Sequence, residues 1–147
     1  IACNKSSDSG TTPPPVDPVS LVLNLPASPF NYANPTLPAY ITAPPIQAQV
    51  NTPANNQITD NGATLGRVLF YDKNLSINNS ISCASCHKQA NAFSDTDVKS
   101  RGFNGGLTGR HSMPLTNAKY YPNGRFFWDQ RAATLEEQVL APIQDLV

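Results

Sequence analysis

The chain has 147 residues, of which 14 are proline and only 14% are charged. Its formal net charge is zero, which argues against nucleic acid as a partner, and it holds no run of about 18 apolar residues that would span a membrane. The length favours a single domain, and the proline content favours much irregular backbone.

The first residues suggest a site of lipid attachment. Cys3 follows Ile1 and Ala2 and precedes a polar run from Asn4 to Gly10. This order resembles the end of a bacterial lipoprotein signal, in which a small residue precedes a cysteine that is acylated after cleavage. We expect residues 1–20 to be a tether with Cys3 lipidated. The protein would then lie in the periplasm or cell envelope and would contact the membrane only through this anchor. The alternative is an incidental exposed cysteine.

Prolines then recur across residues 21–58. They stand among apolar side chains such as Phe30, Tyr32, Tyr40 and Ile41. Because proline lacks an N–H and disfavours helical backbone at the preceding residue, no long helix is expected here. We predict an extended, proline-rich arm that lies along the folded body.

Regular structure is predicted to begin at Thr59, a residue type that caps helices. Leu65, Val68 and Leu69 follow at the i, i+3, i+4 spacing of an amphipathic helix. We expect this helix to end near Tyr71-Asp72 and to pack through its apolar face.

The stretch Cys83-Ala84-Ser85-Cys86-His87 carries the strongest chemical signal. Two cysteines three apart on one helical turn present their thiols to the two vinyl groups of a porphyrin, and the adjacent histidine reaches the iron as an axial ligand. The spacing therefore predicts a covalently attached c-type haem. A zinc site would need two more ligands, for which only His111 and the remote Cys3 are available. A thiol–disulfide centre is expected in a βαβ pattern, which the sequence lacks.

The region after this stretch is predicted to be mostly loop, followed by one helix. The segment from Asn91 to Gly109 ends in four closely spaced glycines, which favours loop. Thr134 to Glu137 fits a capping box, and the helix that it begins should continue through Val139 and Leu140 until Pro142 breaks it. No strand pattern is present.

Basic residues outnumber acidic ones between Lys99 and Arg131, where six basic residues accompany one acidic residue, Asp129. This asymmetry suits an anionic ligand, and the two propionates of a haem need cationic or hydrogen-bonding partners. We select Arg125 and Arg131 as those partners because apolar and aromatic residues flank them. The alternative is a solvated basic loop.

Several separated motifs accompany the haem-attachment stretch in a fixed order. They closely resemble those of the bacterial di-haem cytochrome c peroxidases and their methylamine-utilisation relatives, and the resemblance covers about residues 59–145. The motifs are Leu65-Gly66-Arg67-Val68-Leu69-Phe70-Tyr71-Asp72, Leu75-Ser76, Ile81-Ser82-Cys83-Ala84-Ser85-Cys86-His87, Phe93-Ser94-Asp95, Phe127-Trp128-Asp129-Gln130-Arg131-Ala132 and Leu135-Glu136-Glu137-Gln138.

The resemblance implies a mainly α, cytochrome c-like haem domain over residues 59–147, cut off before a second haem domain that continues for roughly as long again. It implies a peroxidatic haem, hydrogen peroxide as substrate, and electrons from a small cytochrome or cupredoxin by way of the second haem. Trp128 corresponds to the family's electron relay between the haems, with core packing as its alternative role. The family's catalytic glutamate falls just beyond Val147, so this segment alone is expected to be weakly active or inactive.

Two positions depart from the pattern of the family. Phe103 stands where many members place a distal histidine on the resting iron, so we expect an open distal face unless His111 reaches the iron. His111 itself stands where the family commonly has an asparagine that binds calcium between the domains. An imidazole is a poorer calcium ligand than a hard oxygen, which argues against calcium as a second cofactor.

A mono-haem electron-transfer cytochrome is the alternative function. In that case Met113, the single methionine of the sequence, would join His87 on the iron and leave no place for peroxide. Packing is the competing role for Met113, because methionine is an adaptable filler.

Overall fold

A computed structural model describes residues 23–147 of the protein. Cys3 and the tether predicted over residues 1–20 lie outside the described residues. The lipidation of Cys3 therefore stays a prediction.

Every regular element in the described range is a helix or a helical turn. The α-helices are α1 (Asp60–Tyr71), α2 (Cys83–Cys86) and α3 (Leu135–Ile143). Short 3-10 turns lie at Gln47–Gln49, Lys73–Leu75, Gln89–Asn91, Ala118–Tyr120 and Pro122–Gly124. Three isolated antiparallel bridges occur in these residues, and no strand forms among them. This arrangement agrees with the mainly α class, with irregular backbone over the remainder.

No helix found in residues 23–147 has both the length and the apolar character needed to cross a bilayer.

α1 has the bounds that its sequence predicts. Thr59 is the N-cap, and its side-chain oxygen accepts the N–H of Gly62 at 3.1 Å. The helix ends at Tyr71, with Asp72 as its C-cap. A cap residue followed by helically spaced apolar residues is thus sufficient to define both ends of this element.

α3 starts as predicted but ends later than predicted. Thr134 is its N-cap and accepts the N–H of Glu137 at 3.2 Å. In a capping box the side chain of Glu137 would accept the N–H of Thr134. Here it accepts the N–H of the preceding residue, Ala133, at 2.8 Å. The prediction that Pro142 breaks the helix is wrong, since the helix runs to Ile143. In the last turn a proline removes only its own N–H bond, and the carbonyls beyond it have no helical partner in any case.

The proline-rich segment touches the rest of the described chain at several places. Asp60, the first residue of α1, accepts two backbone N–H groups from it at 2.7 and 2.8 Å. Asn51 donates its side-chain amide to the Ala118 carbonyl at 2.9 Å, and Asn56 donates to the Glu136 carboxylate at 2.7 Å. These contacts connect residues 23–58 to α1, to α3 and to the 3-10 turn at Ala118–Tyr120.

The apolar core of the described residues is small. Phe126 and Ala132 pair across an isolated bridge and are almost fully buried, with 4% and 6% of their surfaces exposed. The expected packing of the α1 face is wrong for Leu65, which is 58% exposed. α1 instead contacts α2 and the loop after it, where the Phe70 ring lies edge-on to Phe93 with the centroids 6.0 Å apart.

Candidate haem site

α2 places the two cysteines of the motif on one helical turn. His87, directly after the helix, donates its N–H to the Cys83 carbonyl at 2.9 Å, which closes the turn. At the other end the Ser82 N–H donates to the Ser85 hydroxyl at 3.0 Å. Both cysteines are free; Cys83 is exposed and Cys86 is half-buried. Five consecutive residues therefore present two thiols and an imidazole together.

The His87 ring is held by one of its two nitrogens. Nδ1 lies 2.9 Å from the carbonyl oxygen of Phe93. A carbonyl only accepts hydrogen bonds, so Nδ1 carries a proton, and in the neutral ring Nε2 keeps its lone pair. Within residues 23–147, Nε2 has no hydrogen-bond partner. Two free thiols and an imidazole with an available nitrogen are the donor set of a c-type haem, so these residues fit that group.

Two observations bear on the alternative roles of the cysteines. Partial desolvation raises the pKa of the Cys83 thiol, and repulsion from Cys86 acts in the same direction, against a smaller lowering by a backbone hydrogen bond. A thiol–disulfide centre works through a thiol whose pKa is lowered. The part of the chain that the structure describes also assembles no group of three or more His, Cys, Asp or Glu side chains that could hold a metal ion, which a zinc site requires.

The two arginines predicted to bind the haem propionates are held differently. One guanidinium nitrogen of Arg131 lies 2.9 and 3.1 Å from the two carboxylate oxygens of Asp129. The same guanidinium lies over the Phe127 ring, 3.6 Å from its centroid. Arg125 uses only its Nε, which donates to a backbone carbonyl at 2.8 Å. Its terminal nitrogens have no polar partner among the described residues, so Arg125 keeps more hydrogen-bonding capacity for a propionate.

Asp129 neutralises part of the basic stretch. Desolvation raises the pKa of this carboxyl, but hydrogen bonds from Arg131 and the charges of Arg131 and Arg110 lower it by more, so the net shift is downward. A terminal nitrogen of Arg110 lies 2.9 Å from Oδ2 of Asp129, the oxygen that is 3.1 Å from Arg131. Two of the six cations in this stretch are therefore already paired with a carboxylate.

Trp128 lies at the surface of the described residues, with 55% of it exposed. Its indole Nε1 donates to the backbone carbonyl of His111 at 2.8 Å. Core packing, the alternative role for Trp128, is not its role within these residues. The ring borders a shallow depression whose other lining residues are Val98, Lys99, Gly109, Arg110 and His111.

Both ring nitrogens of His111 are engaged by the protein. Nδ1 lies 3.0 Å from the carbonyl oxygen of Asp97, and Nε2 lies 2.9 Å from the Ser94 hydroxyl. Phe103 is half-buried in the glycine-rich loop, where its carbonyl accepts the side-chain amide of Asn78 at 2.8 Å. Two statements stay predictions: that Phe103 leaves the distal face of the haem open, and that His111 disfavours a calcium site.

A polar cluster that follows His87 is not predicted from the sequence. The Asp95 side chain, only 4% exposed, accepts from the Lys88 ammonium at 2.6 Å and from the Ser100 hydroxyl at 2.5 Å. Burial raises the pKa of Asp95, but these two hydrogen bonds and others from backbone N–H groups lower it by more, so it lies well below its usual range. The available signal is the motif Phe93-Ser94-Asp95, in which the carboxylate comes two residues after the carbonyl that binds His87.

Known proteins similar to this chain agree with the geometry of the site. A family model described as di-haem cytochrome c peroxidase matches residues 60–147. The cytochrome-c peroxidase IdrP1 of Denitromonas iodatirespirans is 37% identical over 89 residues, which are 60% of this chain and 23% of that protein. The methylamine utilization protein MauG of Methylorubrum extorquens is 36% identical over 91 residues, which are 62% of this chain and 25% of that protein. The cytochrome c551 peroxidase of Pseudomonas aeruginosa is 35% identical over 103 residues, which are 70% of this chain and 29% of that protein.

A solved structure shares the fold. The crystal structure of a MauG-like protein associated with microbial copper homeostasis matches with a TM-score of 0.66 and 36% identity, over 77% of this chain and 30% of that one. The chain thus spans about a quarter of the length of such relatives. The family model, the relatives and the haem-attachment geometry agree, and the chain belongs to the di-haem cytochrome c peroxidase family.

Proposed function

We propose that residues 59–147 carry the peroxidatic haem of a di-haem cytochrome c peroxidase. In this proposal the haem is attached covalently through Cys83 and Cys86, with His87 as its axial ligand. When bound, the haem supplies the iron at which hydrogen peroxide is reduced. The observation that carries the proposal is the His87 ring, whose Nδ1 is fixed on the Phe93 carbonyl while Nε2 stays available.

The protein's own groups hold and orient the haem in this proposal. The Phe93 carbonyl fixes the tautomer and direction of His87. Arg125 offers its free guanidinium nitrogens to a propionate, whereas Arg131 is already held by Asp129. Arg125 is therefore the stronger candidate of the two predicted propionate partners.

Trp128 is the electron relay in this proposal. Its exposure leaves the ring available to a second domain, and the hydrogen bond to the His111 carbonyl holds it in one orientation. The partners are that second haem domain, hydrogen peroxide, and a small donor cytochrome or cupredoxin. The family and the names of the relatives support these partners. Residues 59–147 alone are expected to be weakly active or inactive, because in this proposal electrons enter through the second haem domain.

The cellular location is a separate part of the proposal. We assign Cys3 as a lipid anchor and the protein to the periplasm or cell envelope. The support is the order of residues 1–10, in which a small residue precedes a cysteine and a polar run follows it.

The alternative function is a mono-haem electron carrier with His87 and Met113 on the iron. Met113 is half-buried, and its position gives no specific support to this alternative. A sulfur-to-iron charge-transfer band in the oxidised spectrum would favour it over the peroxidase.

Covalent attachment of haem is the test of the proposed function. Expressed with a c-type haem maturation system, the chain should gain the mass of one haem and keep it after denaturation, because thioether bonds persist when the fold is lost. Replacing both motif cysteines, Cys83→Ser with Cys86→Ser, should abolish haem retention through acid and solvent extraction. Cys3→Ser is the matched control and should leave the haem mass unchanged. Haem retained by the double variant would contradict the proposal.

A further inference from the structure

The chain turns back on itself directly after His87. Lys88 and Ser94 form an isolated antiparallel bridge, in which the Lys88 N–H donates to the Ser94 carbonyl at 2.9 Å. At the tip of this return loop, Ala92 and Phe93 have φ of 53° and 59°. Left-handed backbone costs a residue with a side chain about 1 kcal/mol or more, so other contacts must hold the loop in this shape. The shape is what brings the Phe93 carbonyl to the His87 ring.

Asp95 closes the return loop at its base. One carboxylate oxygen accepts from the Lys88 ammonium at 2.6 Å and from the Thr96 N–H at 2.7 Å. The other oxygen accepts from the hydroxyl of Ser100, a residue with no exposed surface, at 2.5 Å. The ion pair therefore joins the first residue of the loop to the residue just after it. Because the Asp95 side chain is almost fully buried, this pair is screened by water much less than a surface pair is.

The charge of Asp95 also fixes the direction of the hydrogen bonds beyond it. A carboxylate only accepts, so the Ser100 hydroxyl must give its single proton to Asp95. The Ser100 oxygen then accepts from the Ser112 hydroxyl, 2.8 Å away. The Ser94 hydroxyl donates to the Ser112 carbonyl at 2.7 Å. The return loop and the segment at Ser112 are thus bonded to each other through two separate routes.

We infer that Asp95 is a positioning residue for the axial histidine, acting through the return loop that carries the Phe93 carbonyl. The inference rests on the proposed function, in which His87 binds the haem iron. With the loop closed by Asp95, the Phe93 carbonyl accepts the hydrogen bond from Nδ1 at 2.9 Å and makes His87 a more basic ligand. Loosening the loop weakens that hydrogen bond, lowers the electron density that His87 gives to the iron, and raises the reduction potential of the haem.

Asparagine at position 95 keeps the size of the side chain but not its hydrogen bonds. Asparagine carries no charge, so the ion pair with Lys88 is lost in either orientation. If its NH2 group faces Lys88, two donors also meet. If the NH2 group faces Ser100, that hydroxyl must turn, and the bond with Ser112 has to reverse. Either orientation disturbs a contact that closes the loop, so Asp95→Asn is a direct probe of the inference.

The experiment measures the haem-loaded protein and three variants. In Asp95→Asn we expect the ferrous iron–histidine stretching frequency in resonance Raman spectra to fall and the reduction potential to rise. Ser100→Ala removes one side-chain donor to Asp95 without changing charge, and we expect shifts of the same sign but smaller. Asp97→Asn is the matched control: it also removes one negative charge, but no hydrogen bond of its carboxylate is found among the described residues, so the stretching frequency should not move.

Each outcome decides the inference. Haem attached to Asp95→Asn with an unchanged frequency and potential would overturn it, and so would Asp97→Asn shifting both quantities as far as Asp95→Asn. If Asp95→Asn yields no folded protein, Ser100→Ala decides, since a shift supports the positioning role and no shift overturns it. Failure of the parent chain to bind haem at all would instead overturn the proposed function, and the mass measurement separates the two cases.

Discussion

Single residues around the haem-attachment motif differ in how firmly the protein holds them. Both nitrogens of the His111 ring lie close to protein atoms, Nδ1 3.0 Å from the Asp97 carbonyl and Nε2 2.9 Å from the Ser94 hydroxyl. Binding to the iron would require breaking at least one of these contacts. The phenyl ring of Phe103 has no lone pair and so cannot bind the iron. In the proposed site, His87 would therefore be the single strong protein ligand of the iron.

The spin state of the ferric haem follows from this difference. Electron paramagnetic resonance near neutral pH should show an axial high-spin signal for the parent, because with His87 as the proposed axial ligand only water or no ligand would stand opposite it. Phe103→His should convert the signal towards low spin, and His111→Ala should change it little. A low-spin parent that becomes high-spin only in His111→Ala would show that His111 closes the distal face.

The helices differ in how far their ends depend on local signals. α1 and α3 both begin after a threonine whose side chain accepts an N–H from the first turn, and local sequence is enough to predict this. α3 continues one residue past Pro142, because a proline in the last turn of a helix is tolerated. The general rule that proline ends a helix therefore places the end of α3 too early. Starts of helices are therefore predicted better here than their ends.

Removal of the α1 cap gives a measurable loss of stability. Thr59→Ala deletes the acceptor for the Gly62 N–H and should lower the free energy of unfolding of the haem-loaded protein by about 1 kcal/mol. Urea denaturation followed by circular dichroism measures this. Thr116→Ala, an exposed threonine outside the helices, is the control and should fall within about 0.5 kcal/mol of the parent. Equal losses in the two variants would mean that the cap contributes nothing specific.

The haem-attachment residues are predictable from spacing alone, whereas the return loop is not. Cys83, Cys86 and His87 lie on one turn, so their order in the sequence is also their order in space. The return loop depends on left-handed backbone at Ala92 and Phe93, residue types that give no turn signal in a sequence. The partners of Asp95 come together only through that turn, which is why a family motif points to them but a spacing argument does not.

Across the whole described molecule, polar contacts make a large contribution to holding the fold together, because few apolar side chains are buried. Phe126 and Ala132 are the apolar side chains that are almost fully buried in residues 23–147. Several apolar residues of α1 and α3 remain exposed within the described residues; they include Leu65, Leu69, Val139, Leu140 and Ile143. Buried polar groups such as Asp95 and Ser100 therefore contribute a large share of the specific contacts.

Acid should destabilise the fold through Asp95. Its pKa is lower in the folded protein than in the unfolded chain, so the ionised carboxyl stabilises the fold above pH of about 4, and this stabilisation is lost as the pH falls from there towards the folded-state pKa. Denaturant midpoints of the haem-loaded protein between about pH 6 and pH 2 should fall more steeply for the parent than for Asp95→Asn, which has no proton to take up. Asp97→Asn should keep the slope of the parent. Parallel slopes for the parent and Asp95→Asn would contradict this assignment.

If Trp128 relays electrons as proposed, the hydrogen bond from its indole to the His111 carbonyl decides what happens to the indole proton. A backbone carbonyl accepts a hydrogen bond but is far too weak a base to take the proton at neutral pH. A tryptophan that loses an electron while bonded to a carboxylate or an imidazole can give up its indole proton and become a neutral radical. Trp128 has no such base on its N–H, so on losing an electron it would remain a radical cation. Charge would then return to the ring without waiting for a proton, as suits a brief stop between two metal centres.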